Sequence, residues 1–119
     1  RLTDVGATRN ATAAPVATLD LTFSDRDDGA VVVHRFGDGK TVGLFAPGTN
    51  GFARGALRGL VLERRRQGAG TERPFRLTRW ADGRLSLSDP ATGRDIELDV
   101  FGPTNSAVFA RLLIDGTAR

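Results

Sequence analysis

Pro47-Gly48-Thr49-Asn50, followed by Gly51-Phe52-Ala53-Arg54-Gly55-Ala56-Leu57-Arg58-Gly59-Leu60-Val61-Leu62-Glu63-Arg64-Arg65-Arg66-Gln67-Gly68, is the stretch on which the fold turns. It reads as a capped helix. Thr49 or Asn50 stands where a side chain can accept a backbone N–H at the helix start. Phe52, Ala56, Leu57, Leu60 and Val61 recur at spacings of three and four, which predicts one apolar side. Arg54, Arg58 and Arg65 are expected on the opposite side. Arg64, Arg65 and Arg66 place cations in the last turn, where they suit the helix dipole, and Gly68 is a natural stop. Gly55 and Gly59 each cost about 1 kcal/mol relative to Ala inside a helix. That cost fits close backbone packing along their strip, or simple tolerance.

Outward from this helix the chain reads as short strands. On its N-terminal side, Leu19, Leu21 and Phe23 alternate with polar residues, a half-buried strand, and Asp25 to Gly29 form a turn. Val31, Val32 and Val33 make a second strand ending near His34. Phe36-Gly37-Asp38-Gly39-Lys40 is a tight turn, and Thr41 to Phe45 a third strand. Past the Gln67 to Pro74 loop the plan repeats. Phe75 and Leu77 lead to Trp80, Asp82-Gly83 signals a two-residue hairpin, and Leu85 and Leu87 alternate with serines. After the Asp89-Pro90-Ala91-Thr92-Gly93-Arg94 turn, Ile96, Leu98 and Val100 alternate with Asp95, Glu97 and Asp99 as the cleanest strand in the chain. Gly102-Pro103-Thr104-Asn105 then repeats the cap ahead of a short helix with Val108, Phe109, Leu112 and Leu113 inward, ended by Gly116.

The order is strand-strand-strand-helix, twice, with a period of about 55 residues. An internal duplication and two merely similar meanders both account for it. The predicted class is α+β: two βββα repeats forming an antiparallel six-stranded sheet or partly open barrel with two helices. Residues 1–16, small, polar and Ala/Thr-rich, read as a flexible tether, and residues 17–119 as a single soluble domain. Its repeats span about 17–68 and about 75–116. Asn10-Ala11-Thr12 matches a glycosylation sequon of the kind that also arises by chance.

Bulk properties exclude more than they assign. The chain has 119 residues, a length that suits one domain burying roughly 60–70% of its unfolded surface. Its hydrophobic fraction is 39%, with 7 Phe, 1 Trp, no Tyr and no Met. No Cys is present, so there is no disulfide, thiolate nucleophile or zinc ribbon. No run approaches the ~18 apolar residues of a membrane span. The first residue is Arg1, not Met, as in a fragment or processed product whose targeting or anchoring segment lay upstream.

Motif by motif, catalytic and metal chemistry finds no footing. Gly39-Lys40-Thr41 lacks the earlier glycine of a phosphate loop, that place being His34, and a strand follows rather than a helix. Asp25, Asp27 and Asp28 precede Gly29 at the wrong spacing for a calcium loop, and Phe36 stands where the bidentate Glu would be. His34 is the only histidine and reads as a strand-end surface residue; no serine sits in a nucleophile elbow. The chain reads as non-enzymatic, with no catalytic, cofactor-binding or metal-ligating residues. Arginine is the functional signal. The net charge is +3, from 17 Lys+Arg against 14 Asp+Glu. Arg54, Arg58 and Arg65 form a candidate protein-docking face, with Arg79 and the half-buried Trp80 as the second choice. A solvated basic face is the plain reading of the same residues. Binding to nucleic acid or anionic lipid is the alternative function, although no recognised nucleic-acid motif is present.

Two stretches together carry a family resemblance. One runs Leu44-Phe45-Ala46-Pro47-Gly48-Thr49-Asn50-Gly51-Phe52-Ala53-Arg54-Gly55-Ala56-Leu57-Arg58-Gly59-Leu60 and on to Glu63-Arg64-Arg65-Arg66. The other runs Pro74-Phe75-Arg76-Leu77-Thr78-Arg79-Trp80-Ala81-Asp82-Gly83-Arg84-Leu85-Ser86-Leu87, then Asp89 to Arg94 and Gly102 to Asn105. In that order they resemble the PuhC family, photosynthetic complex assembly proteins of purple phototrophic bacteria, over residues 18–115. The resemblance implies a non-enzymatic assembly factor that docks on reaction centre and core light-harvesting components and aids their assembly or reorganisation. No cofactor and no nucleic-acid partner are expected, and the sequence leaves open whether the domain binds pigment. The resemblance also implies an inner-membrane protein with one spanning helix near its N-terminus, absent from this chain, and the soluble domain on the periplasmic side. Residues 1–16 would then be the tether just past the membrane.

Overall fold

The computed structural model describes residues 13–117. Three strands come first, β1 (Pro15–Asp25), β2 (Val31–Arg35) and β3 (Thr41–Phe45), then helix α1 (Gly51–Arg66). Three more follow, β4 (Phe75–Trp80), β5 (Leu85–Asp89) and β6 (Arg94–Glu97). A 3-10 turn (Leu98–Phe101) and helix α2 (Pro103–Thr117) close the chain. The α+β expectation holds: one open, six-stranded antiparallel sheet in the order β3-β2-β1-β4-β5-β6 with two helices. β1 includes Pro15 and Val16, which sequence assigned to the tether; residues 1–12 and the sequon lie outside the described residues.

The two meanders join through their first strands. Leu19 lies opposite Leu77 and Leu21 opposite Phe75, so four apolar side chains meet at the centre of the sheet's helix-covered face. Val33, Leu85 and Leu87 extend that layer, and Leu57, Leu60, Phe109, Leu112 and Leu113 close on it from the helices. α2 is seated tightly. A Cβ at Gly43 would run into Leu112, and one at Gly116 into Leu19, so glycine is what lets this helix approach β1 and β3. Gly55 and Gly59 of α1 face open space, which removes close packing within this chain as the reason for them.

Turn chemistry is uniform. The carboxylates of Asp28, Asp38, Asp82 and Asp89 each accept the backbone N–H two residues on, from Ala30, Lys40, Arg84 and Ala91. A side chain that mimics a turn carbonyl in this way fixes the chain reversal locally. The β4–β5 loop is a correction. Four residues, 81–84, connect the strands, with Trp80 N–H donating to the Arg84 carbonyl and Gly83 at φ 92, rather than a two-residue hairpin.

Four boundaries also depart from expectation. The strand read through Val100 ends at Glu97. The Asp99 carboxylate accepts the Leu85 N–H at 2.7 Å in place of a ladder bond, Leu98 drops into the core, and Val100 is left exposed. The α1 cap is not a side-chain cap: Asn50 sits in the left-handed region at φ 53, and Thr49 Oγ1 donates backward to the Ala46 carbonyl. Nor does Asn105 repeat a cap. Pro103 occupies the first helical position, and Asn105 Nδ2 donates to the Phe101 carbonyl. Gly116 does not end α2, which runs on to Thr117 with Gly116 buried inside it.

Candidate docking cleft on helix α1

The buried stripe of α1 is Ala53, Leu57, Leu60 and Arg64. At about 100° per residue, Arg54, Arg58 and Arg65 lie about 60–100° from Leu57, at the near edge of the apolar stripe, and about 120–160° from Leu60 at its far edge. The near edge at Leu57 is where those arginines and core residues share a cavity. A cleft of about 460 Å³ opens between α1 and the β1–β2 corner, with an apolar lining of Phe23, Val31, Leu57, Val61 and Leu62. Arg54, Arg58 and Arg65 border it on the helix side, Ser24 and Asp25 on the strand side.

The three arginines are not equivalent. Arg54 is engaged inside the fold. Its guanidinium donates to the carbonyls of Thr49 at 2.5 Å, Gly29 at 2.9 Å and Phe45 at 2.9 Å, and to that of Ala46. It braces the turn before α1 against the β1–β2 loop. Arg58 and Arg65 are exposed and have neither an ion pair nor a side-chain hydrogen bond among the described residues. Leu62, between them on the helix, is 45% exposed.

Arg64 was expected with Arg65 and Arg66 on the basic last turn. It is buried instead, at 3% side-chain exposure, against Asp89 at 0%. Nε and Nη2 reach the two Asp89 carboxylate oxygens, each at 2.8 Å, and the guanidinium lies over the Phe75 ring at 4.0 Å. The fork-to-carboxylate match pins the end of α1 to the second meander. Burial works against the Asp89 charge, but Arg64 and the Ala91 N–H hold its carboxyl below the ordinary carboxylate range. The sequence signal was present, since Arg64 continues the 53, 57, 60 spacing, and the partner came from another strand.

The second-choice surface is less free. Trp80 is half-buried, as expected, with its indole N–H donating to Ser86 Oγ at 2.9 Å and the Arg84 guanidinium 5.5 Å from its ring centre. Arg79 donates to the Gly83 carbonyl at 2.7 Å. Trp80 lies in a smaller, more polar depression with Arg76, Ser88, Asp95 and Glu97, away from the α1 cleft. The structure therefore brings Arg54, Arg58 and Arg65 together and keeps Arg79 and Trp80 apart from them. His34 pairs with Ser24 Oγ at 3.0 Å, at the strand-side edge of the cleft. No group of three or more His, Cys, Asp or Glu arranged to hold a metal occurs among the described residues, and no helix there is long and apolar enough to cross a membrane.

The family described as photosynthetic complex reorganisation protein PuhC matches residues 16–117. The chain belongs to the PuhC family. Among curated proteins it is 48% identical, over 40 residues, to an uncharacterized 17.4 kDa protein in the puhA 5′ region of Rhodobacter capsulatus. That match takes in 34% of this chain and 25% of the relative, so it spans a quarter of the relative's length. No solved structure matches. PuhC is a family named for reorganising a photosynthetic complex.

Proposed function

We propose that this PuhC domain is a docking module in the assembly or reorganisation of photosynthetic complexes, and that it holds its partner at the α1 cleft. The observation that carries the reading is the pair Arg58 and Arg65, exposed and unpaired beside an apolar cavity in a chain that pairs most of its other charges internally. Uncommitted arginine next to accessible apolar surface is the composition of an interface anchor rather than of a solvated face. Arg54 belongs to the cleft wall as a brace. Arg79 and Trp80, tied to their own hairpin, contribute less. In the whole protein the domain sits beyond an N-terminal membrane helix on the periplasmic side, as the family resemblance implies, and its partners are reaction centre and core light-harvesting components. Catalysis has no part in the reading.

The test is a full-length Arg58→Glu/Arg65→Glu variant in a phototrophic host, with the fold of the isolated domain checked by circular dichroism. The expected result is a native-like fold together with less assembled core complex, read from the near-infrared absorbance of the membranes. A folded variant that supports unchanged core-complex levels would overturn the docking assignment.

A further inference from the structure

Resting on the docking reading above, the charge and shape of the cleft point to a narrower occupant: we infer that it takes an acidic amphipathic helix of a partner protein, with one bulky apolar side chain seated between two carboxylates. The cavity of about 460 Å³ has room for a large side chain, and Phe23, Leu57 and Val61 give it an apolar lining. Arg58 and Arg65 stand seven residues apart on α1, about 10 Å along the helix axis. Carboxylates at i and i+7 of a helix lying along α1 have the same rise, and a residue midway between them faces the cavity.

The charges around the cleft separate this occupant from a lipid surface. Asp25 borders the strand side and the adjoining turn carries Asp27, both exposed and without an ion pair among the described residues, while Asp28 in that turn is paired with Arg26. A flat anionic bilayer brought up to Arg58 and Arg65 would meet those carboxylates as well. A helical segment can present its acids to the α1 side alone, and like-charge contact of this kind is how interfaces reject the wrong partner.

The probe is a synthetic, fluorescein-labelled helix containing Glu-x-x-Trp-x-x-x-Glu, titrated with this chain and followed by anisotropy. Binding is expected to weaken at least about tenfold with Arg58→Glu/Arg65→Glu, and by a similar factor when both peptide Glu are Lys. Replacing the peptide Trp by Ala is expected to weaken it too, and a Leu62→Glu chain should lose affinity while its thermal unfolding stays native-like. No measurable binding of the Glu/Trp helix to the folded chain would overturn the inference. So would equal affinity for the Glu and Lys peptides, or binding only to phosphatidylglycerol vesicles. Should the peptide fail while Arg58→Glu/Arg65→Glu still lowers core-complex levels in the host, the occupant chemistry is wrong and the docking surface stands.

Discussion

Arg64 and Asp89 put two full charges where the helical spacing calls for apolar side chains. Such a pair roughly offsets its own desolvation, yet breaking it leaves one ion buried and alone. Asp89→Ala should therefore cost about 3–5 kcal/mol in urea unfolding, and Arg64→Met in the same chain should return part of that loss. An unchanged double mutant would mean that Asp89 acts through its turn alone. Acid sensitivity belongs to the same scale. Arg35, with the Lys40 N–H, holds the Asp38 carboxyl down to about 2. Asp28 is lowered by the Ala30 N–H and by Arg26, and Asp82 by the Arg84 side chain and N–H; Asp89 is lowered as well. Each binds its proton more weakly when folded, so its contribution is complete above the unfolded pKa of about 3.9 and fades as pH falls through the folded value. Stability is expected to be level from pH 7 to about 5 and to fall between about pH 4 and 2. A melting temperature constant down to pH 2 would contradict this.

Among the elements, α1 shows what sequence could reveal and what it could not. Its length, its stop at Gly68 and the Leu57–Leu60 centre of its apolar side were legible because they depend on spacing along one stretch of chain, while Ala53 and Arg64 were missed from the buried stripe. The role of each arginine was not, because Gly29, Phe45 and Asp89, which set those roles, are distant in sequence and adjacent only after folding. The same limit hid the end of β6. Ile96, Leu98 and Val100 alternate as a strand should, but Asp99 accepts the Leu85 N–H and turns the chain into a 3-10 turn. The two meanders were legible, but their joining through β1 and β4 into one open sheet was not, because that pairing is long-range, and both caps were missed because Thr49 and Asn105 donate to carbonyls instead of accepting N–H groups. α1 also carries a measurable cost. Gly55 and Gly59 are helical and exposed, and a side chain at either meets nothing. Gly55→Ala and Gly59→Ala should each stabilise the domain by about 1 kcal/mol, read as a rise in the urea midpoint with the slope unchanged.

At the scale of the whole molecule the helices interlock the two meanders. The Asp20–Arg76 ion pair, at 2.8 Å, ties the two meanders across the β1–β4 seam, one register position from its Leu21–Phe75 end. α1 follows the first meander, but its last turn is fastened to the second through Asp89 and Phe75. α2 follows the second meander and packs on β1 and β3 of the first; its end is held by Arg35, which donates to the Gly116 carbonyl at 2.8 Å. A cation at a helix C-terminus is favourable in its own right, so this contact both caps α2 and ties the halves together. Each meander thus depends on a helix whose far end is anchored on the other, and neither half carries a complete core. Fragments 13–69 and 70–117 should each give a largely unfolded far-UV spectrum alone, and an equimolar mixture should regain the sheet and helix signal with a cooperative melt. A half that melts cooperatively by itself would show that the interlock is dispensable.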